Sequence, residues 1–178
     1  MAIRDILFDD NPRLRRKARD VGAISQHTHM LLTDMAETMY AADGVGLAAP
    51  QVGVMRRMAV IDVGDGLLEL INPVLLEREG EQLFREGCLS VPNYTAYVRR
   101  PESVRVAAVD RNGGEFVVTA DGYLAVALCH EIDHLDGVLF IDKEAELTEE
   151  ELARVTEQEE QERLEEEKEQ ERSREEQT

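Results

Sequence analysis

Hydrophobic residues in the first part of the chain recur at spacings that predict helices. Asn11 and Pro12 predict a short helix through Arg19, because proline at the first helical position loses no needed hydrogen-bond donor. A second helix is predicted to begin at Ser25, where apolar side chains at three- to four-residue spacing form one buried stripe. The following GVGLAAPQ (44–51) is too rich in Gly and Ala to predict either a helix or a strand.

The middle of the chain alternates β-branched runs with turn residues, which predicts strands over 58–63, 67–76 and 104–109. An Asn-Gly-Gly sequence before residues 115–119 predicts a hairpin. The next stretch, YLAVALCHEIDHL (123–135), is long enough for a helix and apolar on nearly all sides, so we expect it to be central and buried. These elements predict an α+β fold in which antiparallel β-sheets surround a central buried helix that carries the HExxH sequence.

Charge divides the chain into two regions. The 178 residues have a formal net charge of −18. Residues 1–143 hold 22 acidic and 15 basic side chains, whereas residues 144–178 hold 16 acidic and 5 basic ones. We therefore predict a compact domain over residues 1–147. Residues 148–178 are predicted to form an acidic tail, a solvated C-terminal helix that frays into disorder.

The same charge bears on partners and location. A surface this acidic repels nucleic-acid phosphate and anionic lipid, so we expect neither DNA nor a membrane as a partner. The chain shows no charged-then-apolar leader after Met1 and no long apolar run, which predicts a cytoplasmic location. Thiols stay reduced there, so either of the two Cys can serve as a metal ligand or a nucleophile.

HEIDH (130–134) carries the strongest chemical signal. Two His four residues apart on a helix lie about 40° apart around the axis and about 6 Å along it, so both imidazoles reach one ion. Glu131 lies close enough to take a proton from a water on that ion without coordinating it. The motif predicts a metal-dependent hydrolase. The alternative is a buried helix whose His side chains only satisfy hydrogen bonds.

The third ligand separates the classes of HExxH hydrolase. A metzincin needs a third His where this chain has Phe140, which excludes that class. A Glu ligand further on would come from the polyglutamate tail, where no Glu is distinguished by its context. Cys88, within REGCLSVP (85–92), lies in a polar setting, and its thiolate would complete a Cys-His-His set with an open position for water. A buried structural Cys is the alternative there, whereas Cys129 is predicted to pack in the core.

GVGLAAPQ, EGCLS and HEIDH occur in the order and rough spacing found in the peptide deformylases, and the chain resembles that family from about Asp9 to Asp142. The resemblance implies that Cys88, His130 and His134 bind one divalent metal. It implies Fe²⁺ first, with Zn²⁺, Ni²⁺ or Co²⁺ as alternatives, because a Cys-His-His set suits several ions.

The resemblance also implies roles around the metal. Gln51, through its side-chain amide, and Leu89, through its backbone N–H, would stabilise the oxyanion of the tetrahedral intermediate. Main-chain groups near Val45, Gly46 and Gly87 would pair with the peptide as an added strand. An apolar pocket would hold a methionine side chain, with a lining of Val45, Leu89, Val126 and Ala127.

The implied reaction is hydrolysis of the N-formyl group of N-formylmethionyl peptides of nascent proteins, which releases formate. Metal-bound water would be the nucleophile, and Glu131 would act first as general base and then as general acid. The implied partner is the nascent chain, in transient proximity to the ribosome. Some bacterial members dock on ribosomal RNA through a basic C-terminal helix, and the acidic tail of this chain predicts no such docking.

Two alternative functions predict different residues at these positions. A zincin-type peptidase would need Glu or His as the third ligand in place of Cys88. A catalytically silent relative that only binds nascent chains or metal would be expected to lack Glu131 or Gln51, and both are present. Within the motif, Asp133 is expected to support the site, either by accepting from an Arg such as Arg100 or by orienting a ligand; an ordinary buried ion pair is the alternative.

Overall fold

The computed structural model describes residues 2–175. The chain forms two compact units, Met1–Glu144 and Ala145–Thr178, so the first unit ends three residues before the predicted end of the domain at residue 147. Within the described part of the chain, no helix is both long enough and apolar enough to cross a membrane.

Seven strands form two antiparallel sheets in the first unit. In chain order they are β1 (Gly46–Ala48), β2 (Met58–Ile61), β3 (Leu68–Glu79), β4 (Gln82–Cys88), β5 (Val91–Arg100), β6 (Ser103–Val109) and β7 (Glu115–Asp121). One sheet has the strand order β1-β2-β3-β6-β7, and β4 pairs with β5 in a second, two-stranded sheet. Every pair of neighbouring strands is antiparallel. The predicted α+β class with antiparallel sheets is therefore confirmed.

Helix α1 (Gln26–Ala41) begins where the sequence predicts it. The hydroxyl of Ser25 accepts from the backbone N–H of Thr28, while the Thr28 hydroxyl accepts from the Ser25 N–H. This reciprocal cap satisfies donors that the first turn of a helix leaves without partners. The apolar stripe of α1 packs on β2 and neighbouring residues, and its members include Leu31, Leu32, Met35 and Met39.

Helix α2 (Gly122–Asp136) is largely buried and contains HEIDH. Its apolar side chains pack on the five-stranded sheet, and Cys129 lies in that core as predicted. The helix ends at Gly137, which has φ 78° and places its Cα beside the backbone of Arg15. A Cβ at Gly137 would come within 2.7 Å of the Arg15 carbonyl carbon, so glycine is required both by the left-handed conformation and by the close approach.

Three segments differ from the sequence prediction. The first helix is wrong in length: Pro12–Arg15 is a single 3-10 turn, because the chain then extends and the N–H of Ala18 donates to the carbonyl of Leu135 at the end of α2. GVGLAAPQ divides into β1 and a 3-10 turn over Ala49–Val52. Strands β4 and β5 were not predicted, because Gly, Pro and charged residues interrupt their hydrophobic pattern.

In the second unit, helix α3 (Glu149–Glu175) occupies most of the acidic tail. It begins with a second reciprocal cap, in which the Thr148 hydroxyl accepts from the backbone of Glu151 and the Glu151 carboxylate accepts from the backbone of Thr148. The predicted fraying at the end of the tail falls partly on residues 176–178, which lie outside the described residues.

Candidate active site

Cys88, at the end of β4, meets both His side chains of α2. The Cys88 Sγ lies 3.2 Å from the Nε2 of His134. One potential ligand atom each from Cys88, His130 and His134 lies within 4.8 Å of the other two. A thiolate and two imidazole nitrogens that converge in this way fit a divalent transition metal, and three protein ligands leave a position for water or substrate.

Glu86 fixes the orientation of the His130 ring. Its Oε2 lies 2.7 Å from His130 Nδ1, which leaves Nε2 of that ring for the site. Arg100 binds the same carboxylate through two nitrogens, at 2.6 and 3.0 Å, and also donates to Asp133 at 2.5 Å. Both Glu86 and Arg100 are buried. The network fixes the orientation of the His130 ring, as carboxylates commonly do for His side chains at metal sites, and it includes the Arg100–Asp133 contact that the sequence suggested.

These contacts move the pKa values of the network in opposite directions. Burial opposes ionisation of Glu86, but hydrogen bonds from His130 and Arg100 lower its pKa below the ordinary range. Burial also disfavours the charged form of His130, yet hydrogen bonds to Cys88 and Glu86 raise its pKa to about 10. The pKa of His134 is lowered by burial and by the nearby charge of His130.

Glu131 lies beside the three potential ligands and is 3% exposed. Its Oε2 has no hydrogen-bond partner within the described protein, and burial raises the pKa of its carboxyl to about 7. A Cβ at Gly46 would come within 2.3 Å of the Glu131 Oε1, so only glycine leaves space for this carboxylate. A buried carboxylate oxygen without a partner fits a role toward water or substrate rather than a structural one.

The side-chain amide of Gln51 is directed by its own contacts. Its Oε1 accepts from the backbone N–H of Ala48 at 2.7 Å, so the opposite atom of the amide is the NH₂ group. That group donates to the Ser90 hydroxyl at 3.1 Å and faces the Cys88 Sγ at 3.6 Å. The Ser90 backbone N–H also donates to Cys88 Sγ, at 3.4 Å. Two donors therefore face the thiol from the protein side.

A cavity of about 580 Å³ opens onto this arrangement. The structure brings together nearly all of the predicted site residues, and those that line the cavity are Val45, Gly46, Gln51, Gly87, Cys88, Leu89, Val126, Ala127, His130 and Glu131. His134 lies behind Cys88 and is buried. Gly44 is constrained in the same way as Gly46, since a Cβ there would approach Leu89 Cδ1 to 2.7 Å.

Sequence reasoning missed several residues of the site. Phe84 and Tyr123 line the cavity as a stacked pair, with ring centroids 5.2 Å apart and planes inclined by 14°. No local pattern pairs them, because they belong to β4 and α2 and meet only in the folded chain. Glu86 and Ser90 lie inside REGCLSVP, so the polar character of that segment was their signal.

The family described as polypeptide deformylase matches residues 3–150. The chain belongs to the peptide deformylase family. The peptide deformylase of Acetivibrio thermocellus is 58% identical over 143 residues, which cover 80% of this chain and 84% of that protein. The one from Caldanaerobacter subterraneus is 55% identical over 158 residues, which cover 88% of this chain and 99% of its relative.

Solved structures of the family have the same fold. The crystal structure of the peptide deformylase from Thermotoga maritima superposes with a TM-score of 0.81 at 37% identity, and the match covers 82% of this chain and 100% of the other. The protein is therefore a hydrolase of protein biosynthesis that removes N-formyl groups from nascent peptides. This assignment decides against the zincin-type peptidase, and the Cys-His-His group agrees with a family of metalloenzymes.

Proposed function

We propose that this peptide deformylase hydrolyses N-formylmethionyl peptides in the cavity between β1, β4 and α2, with Glu131 as general base and then general acid. One observation carries the proposal. The buried Glu131 carboxylate, with an oxygen that has no partner, lies beside a thiol and two imidazoles that converge on one point. General base, metal ligands and substrate cavity thus occur together in one place.

Cys88, His130 and His134 would hold one divalent ion, with Fe²⁺ first and Zn²⁺, Ni²⁺ or Co²⁺ as alternatives. When bound, such an ion supplies Lewis-acid polarisation and lowers the pKa of water. The protein supports two of these residues by hydrogen bonds: Glu86 orients His130, and the Ser90 N–H donates to the Cys88 sulfur.

Glu131 would move the proton of the reaction. A carboxyl whose pKa lies at about 7 both accepts and releases a proton near neutral pH. Glu131 would take the proton of the attacking water and then donate it to the leaving amine of the methionine. The missing side chain at Gly46 is what lets the carboxylate reach this position.

Gln51 and Leu89 would stabilise the developing oxyanion. The NH₂ group of Gln51 is held toward Cys88 by its contacts with Ala48 and Ser90, so it is oriented before substrate binds. The backbone N–H of Leu89 would be the second donor, since Leu89 follows Cys88 and lines the cavity. Donors that are already oriented are worth roughly 3–4 kcal/mol each to the transition state.

The peptide would bind as an extended strand between Val45–Gly46 and Gly87. Both β1 and β4 are terminal strands in their sheets, so each has an edge without a neighbouring strand in the described fold. The carbonyl of Val45 already accepts from Asp62 on the β2 side, which leaves the cavity side of this segment for the peptide. Backbone pairing of this kind gives affinity that depends little on peptide sequence.

The methionine side chain would enter the apolar part of the cavity. Val45, Leu89, Val126 and Ala127 all line the cavity and would form this part, and the Phe84–Tyr123 pair would add aromatic surface. A thioether contacts aromatic rings favourably, by about 0.3–1.5 kcal/mol per contact. This composition favours methionine over a polar first residue.

The acidic tail takes no part in this reaction in our proposal. The catalytic unit would act in the cytoplasm, transiently near the ribosome, on nascent chains as they appear. The tail would not dock on ribosomal RNA, because α3 contains 13 Glu and only 5 Lys or Arg. Co-sedimentation of the full chain and of residues 1–147 with ribosomes tests this, and tighter binding of the full chain at low salt would contradict it.

Formate release from formyl-Met-Ala-Ser tests the reaction itself. The protein is prepared anaerobically with Fe²⁺ and, in parallel, with Ni²⁺, and unformylated Met-Ala-Ser is the control. We expect formate from the formylated peptide only. An absence of formate with both ions would overturn the proposed function.

A further inference from the structure

We propose that Ser90 is a positioning residue of this reaction: its hydroxyl holds one N–H of the Gln51 amide and thereby aims the second N–H at the reacting carbonyl. The inference rests on the proposed function, because it concerns how the Gln51 donor of that function is oriented. Ser90 is fully buried and is not among the described residues that line the cavity. It would therefore act through Gln51 and without contact with the peptide.

The Gln51 amide needs two contacts to fix its direction. Its Oε1 accepts from the backbone N–H of Ala48 at 2.7 Å. That bond alone lets the amide plane swing, because the terminal torsion of a Gln side chain is broad. The Ser90 hydroxyl removes this freedom, since it accepts from the other end of the amide, with 3.1 Å between Nε2 and Oγ.

The second N–H of Gln51 faces the potential metal ligands. An amide NH₂ group has two donors that point in different directions, so a bond to Ser90 uses one and leaves the other. The same Nε2 lies 3.6 Å from the Cys88 Sγ, on the side where the thiol and the two imidazoles converge. A carbonyl oxygen bound there would meet a donor that is already oriented.

One segment of the chain fixes the backbone at both ends of the Ser90–Gln51 contact. The N–H of Leu7 donates to the carbonyl of Gln51 at 2.7 Å, and the N–H of Asp9 donates to the carbonyl of Ser90 at 2.9 Å. The two acceptors are far apart in the sequence, whereas the two donors are only two residues apart. Neither acceptor can shift relative to the other without loss of one of these bonds.

Ser90→Ala isolates the role of the hydroxyl. The backbone N–H of residue 90, which donates to the Cys88 Sγ at 3.4 Å, is retained in this variant. We therefore expect its metal content to equal that of the wild type. The NH₂ group of Gln51, however, loses the acceptor that directs it, so it should occupy the productive orientation less often.

A double-mutant cycle tests whether Ser90 acts through Gln51. Wild type, Ser90→Ala, Gln51→Ala and the combined variant are assayed for formate release from formyl-Met-Ala-Ser, with rates expressed per bound metal. We expect Gln51→Ala to lower kcat by about 100-fold and Ser90→Ala by about tenfold, because loss of a donor costs more than its misdirection. In the Gln51→Ala background, Ser90→Ala should change kcat by less than about twofold.

Two controls separate positioning from a general structural effect. The inhibition constant of unformylated Met-Ala-Ser should be the same in wild type and Ser90→Ala, since that peptide has no formyl oxygen for Gln51. Thr38→Ala is the matched variant, because the buried Thr38 hydroxyl accepts from the backbone N–H of Arg4 at 2.9 Å, away from the cavity. It should lower stability as Ser90→Ala does but keep the wild-type kcat.

The inference would be overturned by an unchanged kcat in Ser90→Ala, by an equal loss in both backgrounds, or by the same loss in Thr38→Ala. If Ser90→Ala does not fold, Ser90→Cys replaces it in the cycle. A thiol is a weaker acceptor than a hydroxyl, so a smaller loss of kcat is expected, and a wild-type kcat would contradict the inference. No formate from the wild type would instead count against the proposed function.

Discussion

Helices α2 and α3 both contain many ionisable side chains, but these residues have opposite environments. On α2, Glu131 and His134 are buried within an apolar core. On α3, the described Glu side chains are nearly all exposed, and even Leu152 and Leu164 are about half exposed. A buried ionisable group loses its hydration, so the free energy of its charged form depends strongly on its protein partners. On an exposed helix, water solvates each charge, so ion pairs contribute little.

Side chains of the same type therefore have different protonation properties on the two helices. Burial raises the pKa of Glu131 to about 7, and hydrogen bonds raise that of His130 to about 10. The described glutamates of α3 are nearly all exposed to water, and none of them lines the active-site cavity. The number of charged residues in a helix therefore says little about its function, and the number that the fold buries says much more.

Glu131→Ala on α2 is expected to cause the largest loss of activity, whereas a Glu→Ala substitution on α3 should cause none. Loss of the general base should lower kcat by about 10²- to 10⁴-fold. Metal content should remain, because Glu131 is not among the three potential ligands. Glu157→Ala on α3 is the matched control and should retain full activity. Formate release and metal analysis measure both properties, and unchanged turnover of Glu131→Ala would contradict the proposed mechanism.

The two cysteines provide the next comparison. Cys88→Ser should weaken metal retention more than about 100-fold, because it removes the sulfur of the proposed ligand set that lies 3.2 Å from His134 Nε2, and activity should fall with metal content. Cys129→Ser should retain the metal, since Cys129 packs in the core. Metal analysis after dialysis distinguishes the two variants. Full occupancy in Cys88→Ser would show that Cys88 is not a ligand.

A smaller loss of metal affinity is expected from substitution of Glu86, which contacts His130 from outside the proposed ligand set. Glu86→Gln keeps the shape of the side chain but removes the charge that orients His130 and pairs with Arg100. Metal affinity should fall about 10- to 100-fold. Glu77→Gln, which removes only an exposed ion pair with Arg105, should leave the affinity unchanged. Competition with a chelator measures both, and equal affinities of the two variants would reduce the network to a structural role.

The titration of Glu131 should also appear in the stability of the metal-free protein. The unfolded chain loses this proton near pH 4.5, whereas the folded chain holds it to about pH 7. The folded state thus binds more protons in that interval, so the free energy of unfolding falls as pH rises from 4.5 to 7. Glu131→Gln lacks this contribution.

Relative to wild type, Glu131→Gln should therefore gain on the order of 2 kcal/mol between pH 5 and pH 8. Urea unfolding of chelator-treated protein at the two pH values measures this gain. Glu157→Gln on α3 should show no such change. A difference between Glu131→Gln and wild type that is the same at both pH values would mean that Glu131 titrates normally in the fold.

The smallest effect is expected from removal of the tail. A chain of residues 1–147 should keep the kcat/KM of the full protein, because every residue placed in the cavity and around the metal ligands lies before residue 145. Steady-state formate release measures this. A large loss of kcat with normal metal content would mean that α3 contributes to the reaction.

Much of the site was predictable because its key features are short sequence motifs, either local to one helix or shared with a known family. The i, i+4 spacing of His130 and His134 places both rings on one side of any helix, whatever surrounds it. Cys88 was predicted from its polar context and from a resemblance that the family comparison confirms. The start of α1 at Ser25 was predictable as well, since a reciprocal cap involves only the first turn.

Other features depend on residues that are distant in the chain. The hairpin β4–β5 was missed because its polar residues are stabilised by partners such as Arg100 with Glu86 rather than by a regular pattern. The first helix was overestimated because a backbone hydrogen bond to Leu135 competes with helix continuation at Ala18. The direction of the Gln51 amide follows from Ala48 and Ser90 together.

By itself, the sequence determined the chemistry that this protein carries: the HExxH pair, a thiol in a polar segment, a glycine-rich stretch and a strongly acidic tail. Only the tertiary structure decided how that chemistry is used. It buried Glu131 against Gly46, placed Glu86 behind His130 and brought Phe84 to Tyr123. The physical reason is that spacing along a helix is local, whereas burial and long-range contacts, which set pKa values and orient ligands, exist only in the folded chain.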